Sequence, residues 1–375
     1  MYNIYLYQNM ICPHVAAFVK AIAARSDVKL TWVVDADILP YRRQMGIELT
    51  DCGNANVIIT TDEGRIKQIV TDSDYGAIHI VGGMRSAISS RIALLQAAKE
   101  NRRLGLYTEP GNHNGIKGGL RSLLYKYEYK KWGYKLDFVL ATGQLGVDWF
   151  ARAGYPNKLL FPFCYITQSQ LKLLPNDISN QYQISYKIIF CGQLIKRKNI
   201  DILLKALKKA KEYNWECSIA GDGELLEKLR NLSNTLGIAN RIKWLGVIPN
   251  QQLIQLISDS DLLVLPSRFD GWGAVINEAL SVGTPVICSD NCGGGELLNE
   301  SWRGEKVRTY SELHLADALI KRLVAGKLSK YQRENISNWS FENISGEPVA
   351  KYFIQIMDHV YDNKQKPIAP WRSSF

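Results

Sequence analysis

The chain has 375 residues, of which 46% are apolar and 22% charged, with a formal charge of +10. That composition excludes a disordered or collagen-like chain, and the length suits two domains of ordinary size better than one core. No run of about 18 uncharged apolar residues occurs, so no transmembrane helix is expected, and the positive balance points to an anionic partner such as a phosphorylated substrate, a membrane surface or nucleic acid.

The opening MYNIYLYQNM lacks a basic segment followed by a long apolar one, so no signal peptide is expected. The first half then offers short apolar or β-branched runs at Ile4–Tyr7, Leu30–Val34, Val57–Thr60, Ala77–Val81, Leu104–Tyr107, Phe138–Ala141 and Leu159–Phe161. Helix-period segments lie between them, including Ser86–Lys99 and Gly119–Tyr134. Residues 167–185 are polar and aperiodic and read as a linker. From Tyr186 the same grammar restarts, with strands at Ile188–Cys191, Cys217–Ala220, Ile242–Leu245, Leu262–Leu265 and Val286–Ser289 and helices at Ile200–Lys211, Glu224–Leu236 and Leu253–Ser258. Glu347–Asp362 has helical spacing, and KQKPIAPWRSSF reads as an extended end.

Strands alternating with helices mean parallel sheets covered on both faces. The expectation is an α/β chain of two doubly wound, Rossmann-like domains facing across a cleft. Their expected bounds are 1–168 for an acceptor domain, 169–185 for the linker and 186–345 for a donor domain, with 346–375 packing back towards the first domain. Ligands in such sheets sit beyond the carboxyl ends of the strands, so the loops there carry the chemistry. Seven scattered cysteines without a CxxC pair, several in strand-like runs, suggest buried thiols in a reducing cytosol.

After Cys191 comes GQLIKRKNID, where Gly192 permits a tight turn and Lys198 stands just before a helix. A cation beside a helix N-terminus is awkward unless an anion lies between them, and Arg197 offers a second cation. A solvated Lys-Arg loop is the plainer alternative. After Ala220, GDGELL reads first as a structural turn built on Gly221 and Gly223. After Leu265 comes PSRFDGWGAVINEALSVGTPVI. Asp270 at the strand end can accept hydrogen bonds from hydroxyls, Gly271-Trp272-Gly273 can turn and open a helix near Ala274, and Glu278 lies inside that short apolar helix. A carboxylate there is costly to bury unless hydrogen-bonded, and ribose hydroxyls would serve. An amphipathic helix with one exposed Glu is the alternative.

These residues resemble the Glu-x7-Glu signature of retaining GT-B glycosyltransferases, especially glycosyltransferase family 4, which commonly continue EAxxxGxPVI. GQLIKRKN looks like that family's phosphate loop, and IAGDGEL, IKWLGVIPNQQL and SDLLVLPSRFDGWG follow in its order. The match runs from Ile188 to about Leu298; the first half resembles the family's acceptor domain more loosely. The resemblance implies a nucleotide-sugar donor, UDP- or GDP-linked, an acceptor that is a glycan or lipid-linked, and no metal or other cofactor. Carried over, Lys198 would contact the diphosphate, Glu278 the ribose, Asp270 and the Gly271–Gly273 backbone the sugar and distal phosphate, and Gly246-Val247 the base. Two departures stand out: the first acid is Asp270 rather than Glu, and the loop Arg is Gln193. In LYTEPGNHNG, Glu109 and His113 stand roughly where an acceptor-side His-Asp pair would be.

The implied reaction is retaining transfer in bacterial surface polysaccharide synthesis such as lipopolysaccharide, in the cytoplasm or peripheral on the inner face of the membrane. The alternatives are a non-hydrolysing nucleotide-sugar epimerase or a non-catalytic scaffold on the same fold. A dehydrogenase is disfavoured because no GxGxxG follows the first strand. Gly118–Leu136 mixes Arg and Lys with Tyr and Trp, which suits an anionic lipid surface; the alternative is a surface helix with an ordinary buried stripe of Leu120, Leu123, Leu124 and Tyr127. Some phage DNA glucosyltransferases share the GT-B architecture, but no nucleic-acid module is present and a nucleic-acid partner is disfavoured. His79, flanked by Ile78 and Ile80, reads as a core histidine, and His14, before the first helix, as a local cap with acceptor binding as the alternative.

Overall fold

The computed structural model describes residues 1–39, 43, 50–85, 87–112, 115–166 and 185–372. They divide into two units, Met1–Gln168 with Asn343–Phe375, and Ser169–Glu342. Of the expected linker 169–185, all but Ser185 lies outside the described residues.

The first unit holds a parallel sheet in the order β3-β2-β1-β4-β5-β6-β7. Its strands are β1 Tyr2–Met10, β2 Val28–Ala36, β3 Asn56–Ile59, β4 Ile78–Val81, β5 Arg103–Thr108, β6 Phe138–Thr142 and β7 Leu160–Phe163. Every residue of β4 and β6 is buried, which is why these strands read as continuous apolar runs without alternation. Helices Pro13–Ala23, Glu63–Thr71, Ile88–Lys99, Gly115–Lys131 and Gly143–Arg152 connect them. Asp35 at the end of β2 accepts from Ile88 N at 2.7 Å and Ser89 N at 2.9 Å, and so caps the third of these helices.

His79 is a satisfied core histidine. Its Nδ1 lies 3.0 Å from Tyr7 Oη and its Nε2 3.1 Å from Ser73 Oγ, which itself donates to Val70 O. Burial lowers its pKa to about 4, so the ring is neutral.

The C-terminal helix Gly346–Asp362 belongs to this first unit. Phe353 packs edge-on against Phe18 at 5.3 Å, Tyr352 Oη donates to Pro162 O at 3.1 Å, and Tyr2 Oη donates to Asp358 at 2.7 Å. The end is not simply extended. Pro370–Arg372 forms a 3-10 turn that buries Trp371 against Tyr352 at 5.7 Å, because an indole supplies enough apolar surface to anchor a short tail.

The second unit repeats the design, with parallel order β10-β9-β8-β11-β12-β13. Its strands are β8 Tyr186–Cys191, β9 Trp215–Ala220, β10 Ile242–Gly246, β11 Leu262–Leu265, β12 Val286–Ser289 and β13 Gly304–Val307. β13, of sequence GEKV, was not expected; half its residues are polar and it is short. In each sheet the order reverses beside the first strand, at β1/β4 and at β8/β11, which makes these the topological switch points.

Candidate functional site

In the second unit the loops after β8 and β11 meet at the switch point. The loop after β8 passes through Gly192 (φ 148°) into a 3-10 turn, Lys196–Lys198, and then Asn199 in the left-handed region before helix Ile200–Lys209. Asn199 locks the two loops together: its Nδ2 donates to Pro266 O at 3.1 Å, and its Oδ1 accepts from Arg268 Nε at 2.9 Å. Arg268 N also donates to Arg197 O at 2.8 Å. Asn is among the few side chains that tolerate this backbone region.

The lock brings the expected charged residues together. Lys198 Nζ lies 2.5 Å from Asp270 Oδ2, with both side chains 12% exposed. Arg197 Nη1 lies 3.5 Å from the same oxygen and donates to Phe269 O at 3.2 Å. The family resemblance implies that Lys198 and Asp270 contact different parts of a ligand; in this structure they hold each other. Gln193 is exposed on the turn ahead of them.

Asp270 begins the glycine loop. Its N–H donates to Asn291 O at 2.9 Å, and its carbonyl accepts from Gly293 N at 3.0 Å. Trp272 is fully buried and donates from Nε1 to Asn277 Oδ1 at 2.7 Å, and Gly273 turns at φ 85°. Among the described residues, the backbone N–H groups of Gly271, Trp272, Gly273 and Ala274 donate to no protein acceptor. Helix Val275–Ser281 follows, and Glu278 on it is 7% exposed. No described residue hydrogen-bonds its carboxylate, and burial raises its pKa from 4.5 to about 7. Its charge also helps burial hold the Cys191 thiol at the end of β8 well above the ordinary range.

Glycines line the other strand ends. Gly192 N donates to Ala220 O at 2.9 Å, and Gly221 N to Gly246 O at 2.7 Å. A Cβ on Gly221 would lie 2.0 Å from Gly192 O, and one on Gly223 2.7 Å from Leu194 O. These close approaches fix the level of the loops around the GDG turn. Val247, just past Gly246, is 47% exposed.

In the first unit Glu109 follows β5 and accepts from the Tyr165 phenol, which burial and the Glu109 charge push well above its ordinary range. His14 stacks on Tyr165 with ring centroids 6.0 Å apart, and Tyr107 meets Tyr165 edge-on at 6.2 Å. His14 therefore joins this cluster rather than serving only as a cap. His113 lies outside the described residues.

Two features were missed. The turn Gly293–Leu298 packs on the glycine loop, where a Cβ on Gly293 would lie 2.2 Å from Gly271 O, and Gly294 N donates to Trp272 O at 2.7 Å. The run CGGGE was visible in the sequence as its signal. At the first switch point Gly82 N donates to Tyr7 O at 2.7 Å, and Gly83 turns at φ 90°. This Gly-Gly pair follows β4.

Residues 177–339 match the family model described as Glycosyl transferases group 1. An uncharacterized glycosyltransferase of Methanocaldococcus jannaschii is 28% identical over 170 residues, 45% of this chain and 44% of that protein. The lipopolysaccharide 1,6-galactosyltransferase of Salmonella typhimurium is 33% identical over 127 residues, 32% of this chain and 34% of that one. The chain thus spans less than half the length of either relative. Anabaena Alr3699/HepE, solved in complex with UDP, superposes with a TM-score of 0.72 at 16% identity, covering 96% of this chain and all of that one. The chain has the fold of GT-B glycosyltransferase structures, and residues 177–339 are similar to the glycosyl transferases group 1 domain.

Proposed function

We propose that the chain is a retaining glycosyltransferase that moves a sugar from a UDP- or GDP-linked donor to a glycan or lipid-linked acceptor. The observation that carries this reading is the Lys198–Asp270 pair at the glycine loop of the second sheet's switch point, with the buried Glu278, whose carboxylate has no hydrogen-bond partner among the described residues, on the helix that follows. Similarity to a group 1 domain, and to a fold solved with UDP in a cyanobacterial protein, supports it.

In this reading ribose hydroxyls donate to Glu278 and supply the hydrogen bonds its buried carboxylate lacks. The diphosphate takes Lys198 from Asp270, with the N–H groups of Gly271–Ala274 on phosphate oxygens. Asp270, released, accepts from hydroxyls of the donor sugar. The bond between the anomeric carbon and phosphate oxygen breaks while a bond to the acceptor oxygen forms on the same face. The acceptor proton passes to the departing phosphate. Lys198 stabilises the charge that develops on the leaving group, so the step needs no metal. Glu109 with Tyr165 orients the acceptor. Surface polysaccharide assembly is the proposed setting, supported by the likeness to the Salmonella enzyme; no described helix is long and apolar enough to cross a membrane.

A thermal-shift titration with UDP, GDP and their sugars in EDTA tests the reading. Ligand at 100 times its Kd adds about 2.7 kcal/mol of stability. The expected result is a clear shift with one nucleotide that is lost in Glu278→Ala; no shift with any of them overturns it. An added acceptor must then yield a glycoside, since a 2-epimerised sugar formed without acceptor would assign the fold to epimerase chemistry.

A further inference from the structure

Among the described residues, four that are not glycine have φ in the left-handed region: Asn101, Asn199, Tyr310 and Asn363. Asparagine visits that region readily, whereas a bulky ring rarely does. Tyr310, at φ 66°, therefore needs a reason. It is the third residue of a tight turn after β13, closed by Ser311 N donating to Arg308 O at 3.3 Å. A third turn residue with positive φ is ordinarily glycine.

The turn is held from the neighbouring strand. Thr309 donates to Asp290 Oδ1 from its N–H, at 2.9 Å, and from its hydroxyl, and Asp290 N donates to Val307 O at 2.9 Å. These bonds fix the backbone but use nothing of the Tyr310 side chain, of which the residue leaves 55% exposed. The ring meets Arg268, whose guanidinium carbon lies 5.4 Å from the ring centroid, within cation–π range.

Arg268 is in turn the anchor common to Lys198 and Asp270. Its N–H donates to Arg197 O and its Nε to Asn199 Oδ1, so it grips the residues before and after Lys198. Asp270 stands two positions further along the same loop as Arg268. Asn291 Nδ2 donates to Arg268 O at 3.3 Å, which ties in the loop after β12. The spacing of the ammonium and the carboxylate is thus set through one residue. Charge is a minor part of this, because the carboxylate paired with Arg268, that of Asp201, stands 3.9 Å off and is 39% exposed. The planar fork matters more: it donates to Asn199 while its face carries the ring.

We propose that Arg268 is a positioning residue for the donor diphosphate, and that Tyr310 keeps it in place from a strained turn. When phosphate draws Lys198 away from Asp270, the two side chains part while their backbones must hold. Arg268 remains bonded to both loops through that change. Local structure alone favours glycine at position 310, so the ring is retained for what it does to Arg268. This inference rests on the proposed donor site and extends it to the loop after β13.

The test is calorimetry with UDP and GDP beside urea denaturation, on the full chain. The variants are Tyr310→Gly, Tyr310→Phe, Arg268→Lys, and Arg268→Lys combined with Tyr310→Gly. Glycine suits the turn, so Tyr310→Gly unfolds at the same urea concentration as the parent or higher, yet binds nucleotide about two- to fivefold more weakly. Tyr310→Phe keeps the ring and restores the affinity. Arg268→Lys keeps the charge, loses the fork and binds about tenfold more weakly. The combined variant is no weaker than Arg268→Lys alone, because both changes break one contact. Parental affinity in Tyr310→Gly overturns the inference, and so does a loss shared by Tyr310→Phe or losses that add in the combined variant. A fall in stability without a fall in affinity makes the turn purely structural and overturns it too. A parent that binds neither nucleotide removes the donor site and this inference together; a parent that binds while Tyr310→Gly matches it removes the inference alone.

Discussion

Lys198 Nζ and Asp270 Oδ2 lie 2.5 Å apart, 72 positions distant in the chain, in a pair where each side chain is 12% exposed. Such a pair contributes little net stability, yet removing one member strands the other. In the proposed cycle the diphosphate is the replacement partner for Lys198. Asp270→Asn then leaves UDP binding intact within about threefold, or tighter, while turnover falls about 100-fold or more. Calorimetry beside a transfer assay checks this. Loss of UDP binding together with turnover would place Asp270 in the phosphate site instead.

Glu278 gives a pH signature with a defined sign. Its folded pKa of about 7 lies above the ordinary 4.5, so the folded state without ligand holds a proton that the unfolded chain releases. The contribution to stability is fully present below pH 4.5 and is lost as pH rises through 7. Ribose hydroxyls favour the ionised form, so UDP affinity falls below pH 7 by up to about tenfold per unit. Glu278→Gln flattens both profiles. A UDP affinity that is flat between pH 5.5 and 8 in the parent would remove Glu278 from the ribose site.

Gly293 supports the glycine loop from beneath. A Cβ there would meet Gly271 O at 2.2 Å, a backbone atom that cannot swing aside. Gly293→Ala should destabilise by about 2–3 kcal/mol and weaken nucleotide binding as well. Gly119→Ala is the contrast, since a Cβ there meets nothing within 4 Å inside an exposed helix. It should stabilise by roughly 0.5–1 kcal/mol. Urea denaturation of both variants decides; equal behaviour refutes the loop's dependence on Gly293.

Tyr165 ties Glu109 to the aromatic cluster of the first unit. Tyr165→Phe keeps the ring stacked on His14 and removes only the phenol proton. The expected effect is a severalfold rise in acceptor KM with the nucleotide shift unchanged. A change in nucleotide binding, or none in acceptor KM, would make the hydrogen bond purely structural.

Much of this molecule was legible in its sequence. Strands buried on both faces must be continuously apolar, so β4, β6, β8, β11 and β12 stood out, and with them the loops that follow. Glu278 was conspicuous because a carboxylate within an apolar helix is a local contradiction that one chain segment displays by itself. β13 was not legible, since its place is set by pairing with β12 and not by its own composition. The pairing of Lys198 with Asp270 and the seat of Gly293 under Gly271 depend on which strands become neighbours, a matter of topology. The leucine strip shows the same limit. Helical spacing fixed that Leu120, Leu123, Leu124 and Tyr127 share a face, but competition for the core from Tyr125 and Tyr129 on the opposite face turned that strip to water. Periodicity determines which residues lie together; only the packed tertiary structure decides which way they point.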